Sequence, residues 1–301
     1  MFGEDGGHGM WVARSGCRWH QIRVAGIIAI LLGLPCLVGC DRGSGRKAAP
    51  AKPDPLGRVT GEKLVEPNTG MELVFIGAGS FMMGSESGAD NERPVHEVSF
   101  ERGFYIGATE VTQGQWEKLM GTRPWAGQSN VTEIDDCPAV YISCRDAGGF
   151  IAKLNSTVKQ RGYHLPTEAE WEYACRAGTE GDYCFGDDPG GLGDYAWFQT
   201  NSGGDSGGSA HMVAAKRPNA WGLYDMHGNV WEWCGDWYDP NAYASADRAG
   251  PLGPGTGSGR VIRGGGWNAT AVGCRSAARG STTDGNTTAY LGFRVARWTY
   301  D

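Results

Sequence analysis

The sequence predicts an α+β domain. Helix-opening signals of the capping-box type are separated by short β-rich runs, and long glycine-rich stretches without period lie between and after them. With 50 Gly, 12 Trp and 11 Tyr, much of the chain reads as irregular backbone packed on large rings. Its 301 residues suffice for one large domain or two small ones. Met71–Ile76 is a strand-like run, followed by a turn at Gly77–Gly79 and a further short strand at Phe81–Gly84. Val95–Phe100 and Phe104–Ile106 read as a pair of strands. Thr112 and Gln115 have capping-box spacing and open a helix whose apolar face is Trp116, Leu119 and Met120. A second helix is expected over Asp146–Val158. The third is the clearest: Thr167-Glu-Ala-Glu170 is a capping box, and Gly178 is its stop. No internal repeat is present.

The N-terminus reads as an address rather than part of the fold. Arg14, Arg18 and Arg23 precede an apolar run, Val24–Val38, too short to span a bilayer comfortably and suited to a signal h-region. The run ends in Leu37-Val38-Gly39-Cys40, which resembles the bacterial lipoprotein cleavage box. The expectation is a signal peptide over 1–40, a lipidated Cys40, and an exported chain held at a membrane on the periplasmic or surface side. Residues 41–64, rich in Pro, Gly, Ala and charge, read as a flexible linker, and residues 65–301 as the folded domain. A net charge of −7 without a basic run argues against nucleic acid as a partner. Of the nine cysteines, Cys137, Cys144, Cys175, Cys184, Cys234 and Cys274 fall in the folded domain; none forms a C-x-x-C pair. His96, His164, His211 and His227 show no metal-binding spacing, so an iron centre is not expected.

Three motifs follow one another: Leu165-Pro-Thr-Glu-Ala-Glu-Trp-Glu-Tyr173 continuing to Gly178, Gly222-Leu-Tyr-Asp-Met-His-Gly-Asn-Val-Trp-Glu-Trp233, and Arg260–Arg297 with its GGGW, CRSAAR and LGFR islands. Together they resemble the formylglycine-generating enzyme, or sulfatase-modifying-factor, family over about Gly70–Arg297. The resemblance implies that family's variant of the C-type lectin fold, rich in irregular loops. It also implies a structural calcium held by Asp225, Gly228, Val230 and Glu232, since calcium takes hard oxygen ligands. A second family calcium site is not expected, because Trp197–Gly204 replaces its segment. The family commonly bridges the LPTEAEWEY helix to the CRSAAR strand, which suggests Cys175 with Cys274, although the family's partner falls nearer Ser276.

In the enzymes of this family two cysteines bind copper(I), which soft thiolates suit. Here the first position is Ala269, and the second falls near Cys274 only by plain counting. Gly266 replaces a serine and Tyr290 an asparagine. Copper is therefore not expected. Asn268–Tyr290 holds mostly Ala, Thr, Gly, Ser, Asn, Asp and Val, with no Glu, Lys, Gln, Met or Trp. Mutating the adenines of asparagine codons leaves that residue set, and diversity-generating retroelements do this to variable proteins on the same fold. The alternative is a small-residue loop of no special origin. Trp231, Trp233, Trp237 and Tyr238 are either ligand-stacking residues or core. The sequence thus predicts a membrane-anchored, lectin-like binding or scaffold protein without copper oxidase activity, whose contacts to a protein or glycan come from Trp267, Asn268, Ala269, Thr270, Val272, Thr282, Asp284, Asn286 and Tyr290. The alternative is an exported oxidase of the same family acting on a protein or small molecule.

Overall fold

The computed structural model describes residues 57–159, 161–203, 207–245 and 253–299. The proposed signal peptide, the lipidation position Cys40 and most of the linker lie outside them. The domain mixes helix and strand as expected. Strands β1 (Lys63–Val65), β2 (Glu72–Ile76), β5 (Phe104–Gly107), β6 (Tyr163–His164) and β11 (Ala296–Trp298) form an antiparallel sheet in the order β1-β2-β5-β11-β6. Its first strand therefore lies partly in the segment assigned to the linker. A second sheet, β10-β7-β8-β9, comprises β7 (Trp231–Trp237), β8 (Arg260–Arg263), β9 (Gly280–Thr282) and β10 (Leu291–Gly292); only β10 and β7 run parallel. Strands β3 (Gly79–Met83) and β4 (His96–Phe100) form a separate ribbon.

The expected pairing of Val95–Phe100 with Phe104–Ile106 is not formed. β4 pairs with β3, while β5 pairs with β2 and β11. Burial explains the separation. Along β4 buried and exposed residues alternate, which suits a ribbon with one wet face, whereas every residue of β5 is buried. A fully apolar strand belongs at the centre of a sheet covered on both sides.

Both faces of β2 and β5 are covered. Leu73, Phe75 and Tyr105 face a core that includes Trp116 of α1 (Gln113–Met120) and Phe150 of α2 (Cys144–Thr157). Val74, Ile76, Phe104 and Ile106 face a second core with α3 (Glu168–Arg176). Trp116 and Phe150 stack at 5.5 Å, and Phe293 meets Phe150 edge-on. Each of these three helices opens on a capping box. At α2 the cap is Ser143 with Asp146, so the helix starts two residues before Asp146. α3 ends on Ala177 in the left-handed region at φ 47°, one residue before the expected stop Gly178.

α3 is buried along its whole length. A buried charge is tolerated only when paired, and this helix pairs each of its own. Glu172 meets Arg176 and Arg263, Glu168 meets Arg279, and Glu170 takes His164 together with the backbone N–H of Thr167. Trp171 donates its indole N–H to Glu232, which is also bound by Arg294. α3 is thereby tied to β7, to β8 and to the strand-poor segments that carry the candidate site. A short helix α4 (Ala242–Ser245) follows β7.

Candidate functional site

The GNVWEW turn is built around Asn229, which holds φ 65° and is fully buried. Its N–H donates to the Trp197 carbonyl, and its own carbonyl accepts the Trp267 N–H. Its side chain accepts the His211 N–H and donates to the His211 carbonyl and to Glu110. One residue in the left-handed region thus pins four separate segments, two through its backbone and two through its side chain. Gly228 passes so close to the Trp197 carbonyl that any Cβ there would strike it. This explains the Gly-Asn pair in terms of backbone approach.

Asp225 is 2 % exposed; one of its oxygens accepts the Ala214 N–H at 2.8 Å, and the other has no partner. Glu110, which the sequence reading missed, lies in the same charged neighbourhood and likewise has one buried, unpartnered oxygen. Burial, then the Asp225 and Glu232 carboxylates, push Glu110 well above the usual carboxylate range. Burial also raises Asp225 to about 6, with the Ala214 N–H and Arg294 opposing it. Asp225 therefore fits a cation. Glu232 offers no free oxygen: Arg294 binds both, at 2.6 and 2.7 Å, and Trp171 donates to one. Among the described residues no three His, Cys, Asp or Glu side chains stand in metal-holding geometry. A calcium at Asp225 would thus depend on the carbonyls that the resemblance assigns to Gly228 and Val230.

That expectation has a direct test. A ligand that binds only the folded state stabilises it by about 2.7 kcal/mol at a hundredfold excess over Kd. For a domain of this size the matching shift in Tm is roughly 5–10 °C. Chelation should lower the wild-type Tm by that much and leave Asp225→Asn unmoved. A chelator-insensitive wild type overturns the calcium assignment.

The positions expected to hold thiolates carry none that is available. Ala269 closes a turn, its N–H donating to Gly266 and its carbonyl accepting from Gln199. Cys274 is fully buried beside Tyr183, Leu192, Ala196 and Phe198, and burial, with Cys175 adding to it, pushes its thiol up to about 12. All six cysteines of the described residues are free thiols, so the expected Cys175–Cys274 bridge is not formed. Burial likewise raises Cys175 to about 12, and its polar neighbour is Ser276, the place to which the family's own partner cysteine maps. His227 sits against the Cys175 sulfur at 3.8 Å. Its Nδ1 faces the Cys274 carbonyl at 2.9 Å and its Nε2 the Cys184 N–H at 3.1 Å. A carbonyl requires a donor and an N–H an acceptor, so the ring is neutral with its proton on Nδ1.

Of the expected ligand contacts, Trp267 is corrected. It lies in the core at 6 % exposure and donates its indole N–H to the Ala289 carbonyl. Asn268 and Thr270 are exposed, as is Val272 at 65 %, while Ala269, Thr282, Asp284, Asn286 and Tyr290 are half-buried. Two arms carry them. The 268–274 arm is braced by Gln199 at Ala269 and by the Tyr183 hydroxyl, which donates to the Ala271 carbonyl. The 282–290 arm is braced by Arg145 on Asp284 and by the Cys144 and Tyr141 N–H groups on the carbonyls of Asp284 and Thr288. Loops pinned to a rigid frame are common carriers of binding residues. Among the four aromatics left open by the sequence, Trp233 is core, Trp237 is covered by Arg260, and Tyr238 meets Arg279. Trp231 alone lies half-buried against the displayed segment, beside Gly266, Gly273 and Gly280.

Comparison with known proteins agrees with this architecture. The profile of the sulfatase-modifying factor enzyme 1-like domain matches residues 61–299. The formylglycine-generating enzyme of Streptomyces coelicolor is 33 % identical over 310 aligned positions, covering 83 % of this chain and 94 % of that protein. Among solved structures, PvdO from Pseudomonas aeruginosa is similar with a TM-score of 0.70 at 30 % identity, over 80 % of this chain and 99 % of the other. Treponema denticola variable protein 1 is similar with a TM-score of 0.68 at 29 % identity, over 78 % and 98 %.

Proposed function

The chain belongs to the sulfatase-modifying factor family, and we propose that it is a binding or scaffold protein on that fold, without copper oxidase chemistry. The observation that carries this reading is the pair of thiolate positions. Ala269 has no sulfur, and Cys274 is buried with its thiol raised to about 12. Copper(I) needs soft, deprotonated sulfur. Ligand contacts come from the 268–274 and 282–290 arms. The similarity to Treponema denticola variable protein 1 supports reading these arms as a diversified surface. Amplicons of the Asn268–Tyr290 coding segment that never vary across a population would count against diversification. We further propose that calcium sits at Asp225, and that lipid on Cys40 holds the exported chain at a membrane, on its periplasmic or surface side. Fractionation that leaves the full chain in the aqueous phase would remove the anchor.

A second reading, an exported oxidase, draws on the likeness to the Streptomyces coelicolor enzyme and to PvdO. One experiment separates the two. The purified chain, offered copper(I) and a cysteine-containing sulfatase-type peptide, is expected to leave the peptide thiol unoxidised and to bind no copper tightly. Peptide oxidation that disappears in Cys274→Ser would establish the enzyme.

A further inference from the structure

We propose that Trp231 is the floor of the binding site and takes the flat face of a neutral, gluco-configured saccharide. The inference rests on the binding reading above and names a ligand class for it. The Trp231 indole lies along bare backbone. A Cβ placed on Gly266 would come within 3.2 Å of its Cδ1, one on Gly280 within 3.2 Å of its Cζ3, and one on Gly273 within 4.0 Å of its Cζ2. The same point at Gly266 is 3.3 Å from the Asn268 amide oxygen and from the Tyr290 carbonyl. The ring, the Asn268 side chain and the second arm therefore converge at one place.

The indole N–H is uncommitted. Trp116, Trp171, Trp233 and Trp267 donate theirs to Thr122, Glu232, the Ile142 carbonyl and the Ala289 carbonyl. Among the described residues Trp231 has no such partner, and its N–H is not among the buried unpartnered groups. The half-buried ring packs against the core on its inner side and keeps its N–H off the protein's own acceptors.

Charge and rim chemistry select the ligand. Between Arg263 and Tyr290 every charged side chain is already paired: Arg263 with Glu172, Arg275 with Glu92, Arg279 with Glu168, and Asp284 with Arg145. No free charge awaits an ionic ligand. Asn268, Thr270, Thr282 and Asn286 carry amides and hydroxyls, which both donate and accept, as sugar hydroxyls do. A peptide partner instead seeks large apolar or arginine anchors, and on the arms the exposed large hydrophobic residue is Val272. A pyranose whose substituents are all equatorial presents a flat C–H face to an indole and hydroxyls to the rim.

The test is a titration of the full chain with cellotriose and with chitotriose, followed by tryptophan fluorescence and by calorimetry. Saturable binding of at least one is expected. Trp231→Ala should weaken it by about tenfold or more, as central aromatic anchors do. Trp231→Phe should keep the stacking face, lose the donor and fall between. Asn268→Ala, at an exposed side chain that leaves the fold intact, should weaken binding several-fold, and this carries the test if Trp231→Ala does not fold. Failure of both saccharides to bind at about 10 mM, a range in which even weak sites fill, overturns the saccharide. So does binding that Trp231→Phe and Asn268→Ala leave unchanged. Recovery of a Trp231-dependent peptide from a display library would replace the saccharide while keeping the binding reading, whereas peptide-cysteine oxidation would remove the binding reading itself.

Discussion

Arg263→Met is expected to destabilise the domain by about 3–5 kcal/mol, the range for breaking a buried charged network on one side. Arg263 is fully buried; its two terminal nitrogens are both committed, while its Nε lies 3.7 Å from Glu168 without a hydrogen bond. One nitrogen binds the Glu172 carboxylate and donates to the Ser276 carbonyl at 3.1 Å, and another donates to the Ala277 and Ala278 carbonyls. Methionine fills much of the volume but donates nothing, so three buried carbonyls and one carboxylate lose a partner at once. Burial alone would raise Glu172, but Arg176 and Arg263 overcome it and hold the group below its usual value. A depressed carboxylate contributes stability above its unfolded pKa and loses it as pH falls through the folded one. The deficit of Arg263→Met should therefore be widest near neutrality and narrow in acid. The comparison is Arg145→Ala, an exposed pair with Asp284, expected to cost far less because solvent screens it. Urea melts at two pH values check both. Equal costs for the two variants would mean that Arg263 is not what fastens the 276–278 segment to α3.

That segment bears on function because it follows directly on the 268–274 arm. In this fold the displayed residues are small, and the segments that carry them are fastened in part by buried arginines behind them. Arg263, Arg275, Arg279 and Arg294 each reach a glutamate distant in sequence. Substitutions at exposed arm positions such as Thr270 or Val272 should then leave the fold intact while altering the surface.

The parts of this arrangement legible in the sequence were those with local grammar. Thr112, Thr167 and the apolar spacing after them announce helices because a cap acts on the next three residues. The motif Gly222–Trp233 announced a turn with carboxylates, and the missing thiolate at Ala269 was a matter of reading one position. What was not legible depends on contacts between distant residues. Pairing Val95–Phe100 with Phe104–Ile106 was the natural local choice, and only the burial of Phe104–Gly107 on both faces assigns it to another sheet. Trp267 looks like a ligand contact until the Ala289 carbonyl takes its N–H. Glu110 had no local signal: its weight comes from Asp225, Glu232 and Arg294, more than a hundred residues away. The Cys175–Cys274 pairing fails for a similar reason, since the side chain beside Cys175 is that of Ser276, two residues on.

The second large effect is expected at Arg294. Arg294→Met should also cost about 3–5 kcal/mol at neutral pH, but with the stronger pH dependence. The Arg294 guanidinium is fully buried, binds both oxygens of Glu232, and donates to the Gly107 and Tyr224 carbonyls. It also lowers Glu110 and Asp225 through space, against the burial that raises them. Removing it leaves three buried carboxylates with no cation among them. In the unfolded chain all three are ionised above about pH 4.5. In the folded variant Glu110 and Asp225, already raised by burial and no longer lowered by Arg294, would hold protons to higher pH. A carboxyl whose folded pKa is raised keeps its stability at low pH and loses it as pH rises from the unfolded toward the folded value. The deficit of Arg294→Met should therefore shrink as pH falls from 8 toward 5. In the double variant Arg294→Met/Glu232→Gln one of the stranded charges is gone, so much of the neutral-pH loss should return. Calcium supplies a diagnostic third arm. If a cation sits at Asp225, saturating calcium should raise the Tm of Arg294→Met more than that of the wild type, since it would meet carboxylates that no arginine neutralises. A variant with an unchanged melt at pH 8 would show that the Glu232–Arg294 pair does not hold β7 against the LGFR turn.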